Sequence, residues 1–137
     1  MIQIKKEEWE ITKMYIFDVA LRDGIVNLDL QDFENKARGA RPAVAVKVDE
    51  PLDVSGLTEK AIGLIKENVS GKLDSVMVVV SFKEGNELKM EDLDGMGACF
   101  LRLANENVDV VWGLQQADDI TNDRQVTAFA FEQPLPD

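Results

Sequence analysis

Between Pro42 and Val48 every second residue is apolar on one face, Val44, Val46 and Val48, which is the period-two signature of a strand. Asp74–Phe82, "DSVMVVVSF", is nearly continuous in apolar character and reads as a strand covered on both faces or central in a sheet. A third strand follows from the run Val108–Leu114. A fourth spans "RQVTAFAFE", where Val126, Ala128 and Ala130 alternate with Thr127, Phe129 and Phe131. Helical spacing separates these runs. Leu57, Ala61, Leu64, Ile65 and Asn68 recur every three or four residues and predict a helix over about 57–69, capped by Ser55 and ended by Ser70 and Gly71. Leu93, Met96, Phe100, Leu103 and Ala104 predict the inward face of a second helix over about 90–105.

Upstream the pattern is mixed. Trp9, Tyr15, Ile16 and Val19 form a helical stripe over about 6–21, although the β-branched and aromatic content also permits a strand; we read it as a helix. "RDG" breaks it, with Gly24 suited to a left-handed stop. A short helix is expected from Leu30 to about Arg38, with Asp29 as N-cap, Asp32 in the first turn and Gly39 closing it. The order α, α, β, α, β, α, β, β predicts the α+β class: a two-layer sandwich with a four-stranded mixed sheet and helices packed mainly on one face. The last two strands are joined by a loop without a helix and are read as an antiparallel pair. The tail "EQPLPD" ends in proline-rich sequence, so residues 133–137 are expected to be flexible.

A chain of 137 residues suits one domain with its own core. No apolar run approaches the roughly 18–20 residues that span a bilayer. The opening "MIQIKKEEWE" has no apolar segment after its lysines, so a cytoplasmic location is the expectation. The single Cys99 falls in a helical stretch with no histidine anywhere to activate it, and reads as a packing cysteine. Fifteen basic against 26 acidic residues give a net charge of −11, which disfavours nucleic acid and anionic membrane as partners. The absence of histidine argues against a triad hydrolase or a conventional zinc site.

Nine glycines include no phosphate cradle; Gly95 and Gly97 lie in a helical stripe, where they are read as permitting close packing. The chain is therefore expected to bind no cofactor or metal alone. Three acidic clusters remain. Asp92/Asp94 lies at a helix start and Asp118/Asp119 in a polar loop, and both read as solvated surface. The third, Asn27/Asp29/Asp32 in "GIVNLDLQDF", is locally no more than a helix cap and its turn.

Taken together, three segments resemble the C-terminal half of FtsZ, the bacterial tubulin-like cell-division GTPase. "GIVNLDLQDF" is similar to the family's synergy loop, in which N-x-D-x-x-D leads into a short helix. "GKLDSVMVVVSFKEGNELKMEDLDGM" resembles the stretch where a buried strand and a turn open a long helix, and "VDVVWGLQQADDITNDRQVTAFAF" resembles the family's closing strands and acidic loop. The segments fall in family order from about Asp23 to Glu132. The resemblance implies that residues 1–22 form a helical segment matching the end of the family's central helix, and that 23–132 form the C-terminal-like domain. The family's GTP-binding half, with its glycine-rich signature, has no counterpart in these 137 residues, nor is its apolar C-terminal peptide visible.

In that family the nucleotide sits between stacked subunits, and the synergy loop of one completes the GTPase site of the next. Carried over residue by residue, Asp29 and Asp32 become the water-polarising pair, acting only in trans on a partner's GTP, and Asn27 shapes the loop or contacts the nucleotide. The expected function is thus a non-catalytic interaction module linked to cell division or filament regulation. Its expected partner is an FtsZ-like GTPase or another copy of itself. The alternative is a fold relative without a filament role, forming a homo-oligomer that binds a small ligand. An independent hydrolase or lyase using paired carboxylates is the third reading, disfavoured by acids that sit on exposed loops.

Overall fold

A computed structural model describes residues 2–6, 24–26, 41–69 and 71–133. Six strands, β1 (Ile2–Lys6), β2 (Gly24–Val26), β3 (Arg41–Val48), β4 (Leu73–Phe82), β5 (Asp109–Gln116) and β6 (Arg124–Glu132), form one open mixed sheet in the order β1-β3-β6-β4-β5-β2. Two helices, α1 (Val54–Asn68) and α2 (Met90–Asn105), complete an α+β architecture. The four strands expected from the apolar pattern are the middle of this sheet. β1 and β2 extend it at the two edges, both antiparallel to their neighbours.

β4 runs parallel to β5 across α2, and antiparallel to β6. β5 and β6 therefore run in opposite directions, as expected, but they are not a pair: β6 passes over β4 and inserts between it and β3. The central position of β4 explains its unbroken apolar run. Val76, Val78, Val80 and Phe82 on one face and Met77 and Val79 on the other are all buried.

The helices cover one face. α1 packs on β3 and β6, and α2 packs on β5 and against α1. Val44, Val46 and Val48 meet Leu57, Ala61 and Ile65 in one cluster with Met96 and Leu103. Phe100 leans on Trp112 with ring centroids 6.4 Å apart.

Helix α1 begins three residues earlier than the apolar spacing implies. Its N-cap is Asp53, whose carboxylate accepts from the Gly56 N–H at 2.7 Å; Ser55 lies inside the first turn. A Cβ on Gly95 would meet Ser55 Cβ at 3.0 Å, so the close approach of the two helices does depend on that glycine, as the sequence suggests. Gly97 has open space around it and plays no such part. In α2 the buried residues are Met96, Cys99 and Leu103, with Leu93 and Phe100 half-buried; Ala104 faces solvent, contrary to its expected inward position. Cys99 packs inside, as its surroundings predict.

The end of α2 is set by hydrogen bonding. Asn107 adopts φ 63°, its N–H bonds the Ala104 carbonyl, and the Val108 N–H reaches back to Leu103 at 3.0 Å. This is a Schellman closure in which asparagine supplies the left-handed residue.

The amino-terminal expectations fare differently. Of the helical segment assigned to 1–22, Ile2–Lys6 is a strand: Ile2 and Ile4 alternate in register with Val48 and Val46, and period two prevails. Gly24 opens strand β2 rather than ending a helix. The helices expected over 6–21 and 30–38 otherwise lie outside the described residues, as do 134–137 of the tail. Gln133 is tied down, its N–H donating to the Lys72 carbonyl at 2.8 Å.

Candidate functional site

Asn27, Asp29 and Asp32 lie outside the described residues, so their side chains have no described geometry. Their approach is described. β2 runs antiparallel to β5, with Gly24 opposite Gln115 and Val26 opposite Leu114, and Asn27 is the next residue in the chain. The motif is thus entered from the outer edge of the sheet. Beside that entry, Gln115 is buried and its side-chain amide donates to Ser81 Oγ at 2.9 Å, which fixes the rim of β5 against β4.

A second feature, missed in the sequence, is a cleft of about 320 Å³ between α1 and α2. Helical spacing builds its walls: Glu59, Ile62, Gly63 and Lys66 come from α1, and Cys99, Arg102, Leu103 and Glu106 from α2 and its cap. The helices run side by side, so an acid on one meets a base on the other twice, with opposite sense. Arg102 Nη2 donates to Glu59 Oε1 at 2.7 Å, and Lys66 Nζ to Glu106 Oε1 at 2.9 Å. Glu59 and Lys66 are separated by roughly 10 Å along the helix axis. Between the two pairs lies a floor of Ile62, Leu103 and Cys99. The hydrogen bond to Glu59, and then the one to Cys99 Sγ at 3.4 Å, hold the Arg102 guanidinium above its ordinary pKa. The cleft has the chemistry to bind by charge, presenting two acids and two bases around an apolar floor.

A third group lies where β4 and β5 end and β6 begins. Asp49, at the end of β3, accepts from the backbone N–H groups of Thr121 and Asn122 and from the Asn122 side-chain amide, each at 2.8 Å. Burial pushes its carboxyl up, but the hydrogen bonds from Thr121 and Asn122 outweigh that and leave it below the usual carboxylate value. Arg124 reaches the carbonyls of Asn86 and Glu87 at 3.2 Å and both oxygens of Asp92 at 3.3–3.4 Å. Asp92 also accepts from the Lys89 N–H at 2.8 Å, capping α2.

Of the acids read as solvated surface, Asp94 is exposed, whereas Asp92 is half-buried in this network and is corrected to a structural residue. Asp118 stays exposed and accepts from the Glu84 N–H at 2.8 Å. These are anchoring contacts, and no cluster of three His, Cys, Asp or Glu side chains placed to hold a metal occurs among the described residues. No helix among them is long and apolar enough to cross a membrane.

No protein-family model and no curated protein matches the sequence. Solved structures do. A point mutant of FtsZ from M. jannaschii is similar with TM-score 0.54 and 14% identity, over 84% of this chain and 35% of that one. The empty FtsZ dimer from the same organism gives TM-score 0.53 and 14% identity, over 83% of this chain and 33% of that one. The thiamine monophosphate kinase of Aquifex aeolicus gives TM-score 0.49 and 13% identity, over 76% and 41%. The chain therefore spans about a third of the length of the FtsZ chains it matches. At such identities the likeness concerns architecture: this chain has an α+β fold of the kind found in FtsZ.

Proposed function

We propose that the protein is an interaction module that docks on the nucleotide-bearing face of an FtsZ-like GTPase and regulates its filaments in the cytoplasm. It catalyses nothing alone. GTP is held by the partner, and this chain contributes Asp29 and Asp32 to polarise the attacking water, with Asn27 shaping the loop. Phosphoryl transfer depends mostly on positioning and electrostatics, so an acid supplied from outside, opposite the leaving group, is sufficient to complete such a site. The observation that carries the reading is strand β2: on an FtsZ-like fold, it leads from the edge of the sheet directly into N-x-D-x-x-D.

The test is to mix the purified chain with FtsZ and GTP and follow light scattering and phosphate release. A dose-dependent change is expected, and Asp29→Ala should remove any gain in GTP turnover while preserving the circular dichroism spectrum. Unchanged kinetics at several-fold molar excess would end this reading.

The cleft between α1 and α2 favours a second reading, a homo-oligomer that binds a small charged ligand. It predicts a closed oligomer whose melting temperature rises with a small zwitterionic or anionic metabolite, and loses that response in Arg102→Ala. A monomer whose melting is indifferent to such compounds removes it.

A further inference from the structure

β1 is the outermost strand, hydrogen-bonded through one edge to β3 and followed by no other strand on its far side among the described residues. An edge of this kind presents a row of backbone donors and acceptors that another strand completes. Its apolar residues are only partly covered. Ile2 and Ile4 stand in register with Val48 and Val46, which are buried under α1, yet they are themselves 37% and 41% exposed. Among the described residues, the apolar surface under the helices thus runs on to β1 and ends there partly exposed.

We infer that β1 is a self-association edge, on which the β1 of a second copy pairs antiparallel about a two-fold axis to join two sheets into one. Three observations select a second copy. The groups to be completed are backbone edge groups, so the occupant is a strand. Residues 2–6 contain no acid in a chain of net charge −11, so two copies meet there without opposing carboxylates. And the strand matches itself: pairing centred on Ile4 sets Ile4 against Ile4, Gln3 against Lys5 and Ile2 against Lys6, with no lysine opposite a lysine. An isologous contact of this form closes at two copies. It also leaves β2 at the opposite edge of each sheet, so the dimer carries two copies of the N-x-D-x-x-D entry facing outward; that consequence rests on the proposed function, whereas the dimer does not.

Sedimentation equilibrium of the full chain tests the interface. The expected result is a monomer–dimer equilibrium built on the 15.3 kDa chain, with Ile4→Asp raising the dissociation constant roughly tenfold or more. Leu101→Asp, on the exposed face of α2, should leave it unchanged. Because Ile4 meets its own image, Ile4→Cys should form an intermolecular disulfide on mild oxidation, while the buried Cys99 of the unaltered chain does not. A monomer at all concentrations overturns the inference, as does a dimer that Ile4→Asp leaves intact or one that Leu101→Asp disrupts instead. Since Ile4 is already exposed, circular dichroism of the variants should match the parent. GTPase stimulation is measured separately, so loss of one result does not decide the other.

Discussion

At the loop end of the sheet, Asp49 is 1% exposed and its carboxylate accepts three hydrogen bonds from Thr121 and Asn122. Across the helices, Glu59 and Arg102 meet through one short contact with both side chains more than half exposed. The shorter bond belongs to the weaker interaction. Water readily replaces a lost partner at Arg102, whereas Asp49 is itself buried and its hydrogen bonds to Thr121 and Asn122 are part-buried, so breaking them is compensated less completely. Charges at the loop end therefore fix the connection between strands. Those lining the cleft are available to exchange partners, which is what a docking or ligand-binding surface requires.

The largest effect should come from Asp49→Ala. It strips the Thr121 and Asn122 N–H groups of their acceptor and should lower stability by about 3 kcal/mol, read from the urea midpoint. Acid should do the same to the parent protein. The folded-state pKa of Asp49 lies below its ordinary 3.8, so the unfolded chain takes up the proton first as pH falls. The stabilisation is complete above the unfolded value and is lost as pH drops through the folded one. Asp49→Asn should begin less stable but show a flatter acid limb below about pH 4. An unchanged limb would mean that Asp49 is not the group that titrates with folding.

Arg124→Ala ranks next. Its guanidinium joins two loop carbonyls to Asp92, and both charged side chains are under one-fifth exposed. Partial exposure moderates the loss to about 1–2 kcal/mol, and Arg124→Lys should recover little because a point charge cannot fork between three acceptors. Thermal or urea denaturation checks both.

The contrast between these regions also explains what was legible in the sequence. Strands β3 to β6 and most of the inward faces of both helices follow from local period, because burial imposes that period residue by residue; Ala104 fits the period of α2 yet faces solvent. The position of β6 does not: sequential strands usually neighbour one another, and only the assembled sheet shows β4 between β5 and β6. Asp53 and Ser55 are both competent caps, and the choice fell to the carboxylate that reaches Gly56. Asp49 was illegible because its partners lie 72 and 73 residues away, and nothing local marks a pairing that distant. The cleft was hidden similarly, since Arg102 and Glu106 alone form an ordinary helical i,i+4 pair. The third acidic motif was readable only as a motif, because N-x-D-x-x-D is locally also the pattern of a helix cap and its turn.

The smallest effect should be Arg102→Ala, and it is the sharpest check on the contrast. If exposure decides what a charge pair contributes, removing this guanidinium leaves the urea midpoint within experimental scatter, despite the 2.7 Å contact to Glu59. Added salt should then move the parent and the variant equally. A shift as large as that of Arg124→Ala would show that the two helices depend on the pair, and the cleft would have to be read as a structural seam rather than a surface open to partners.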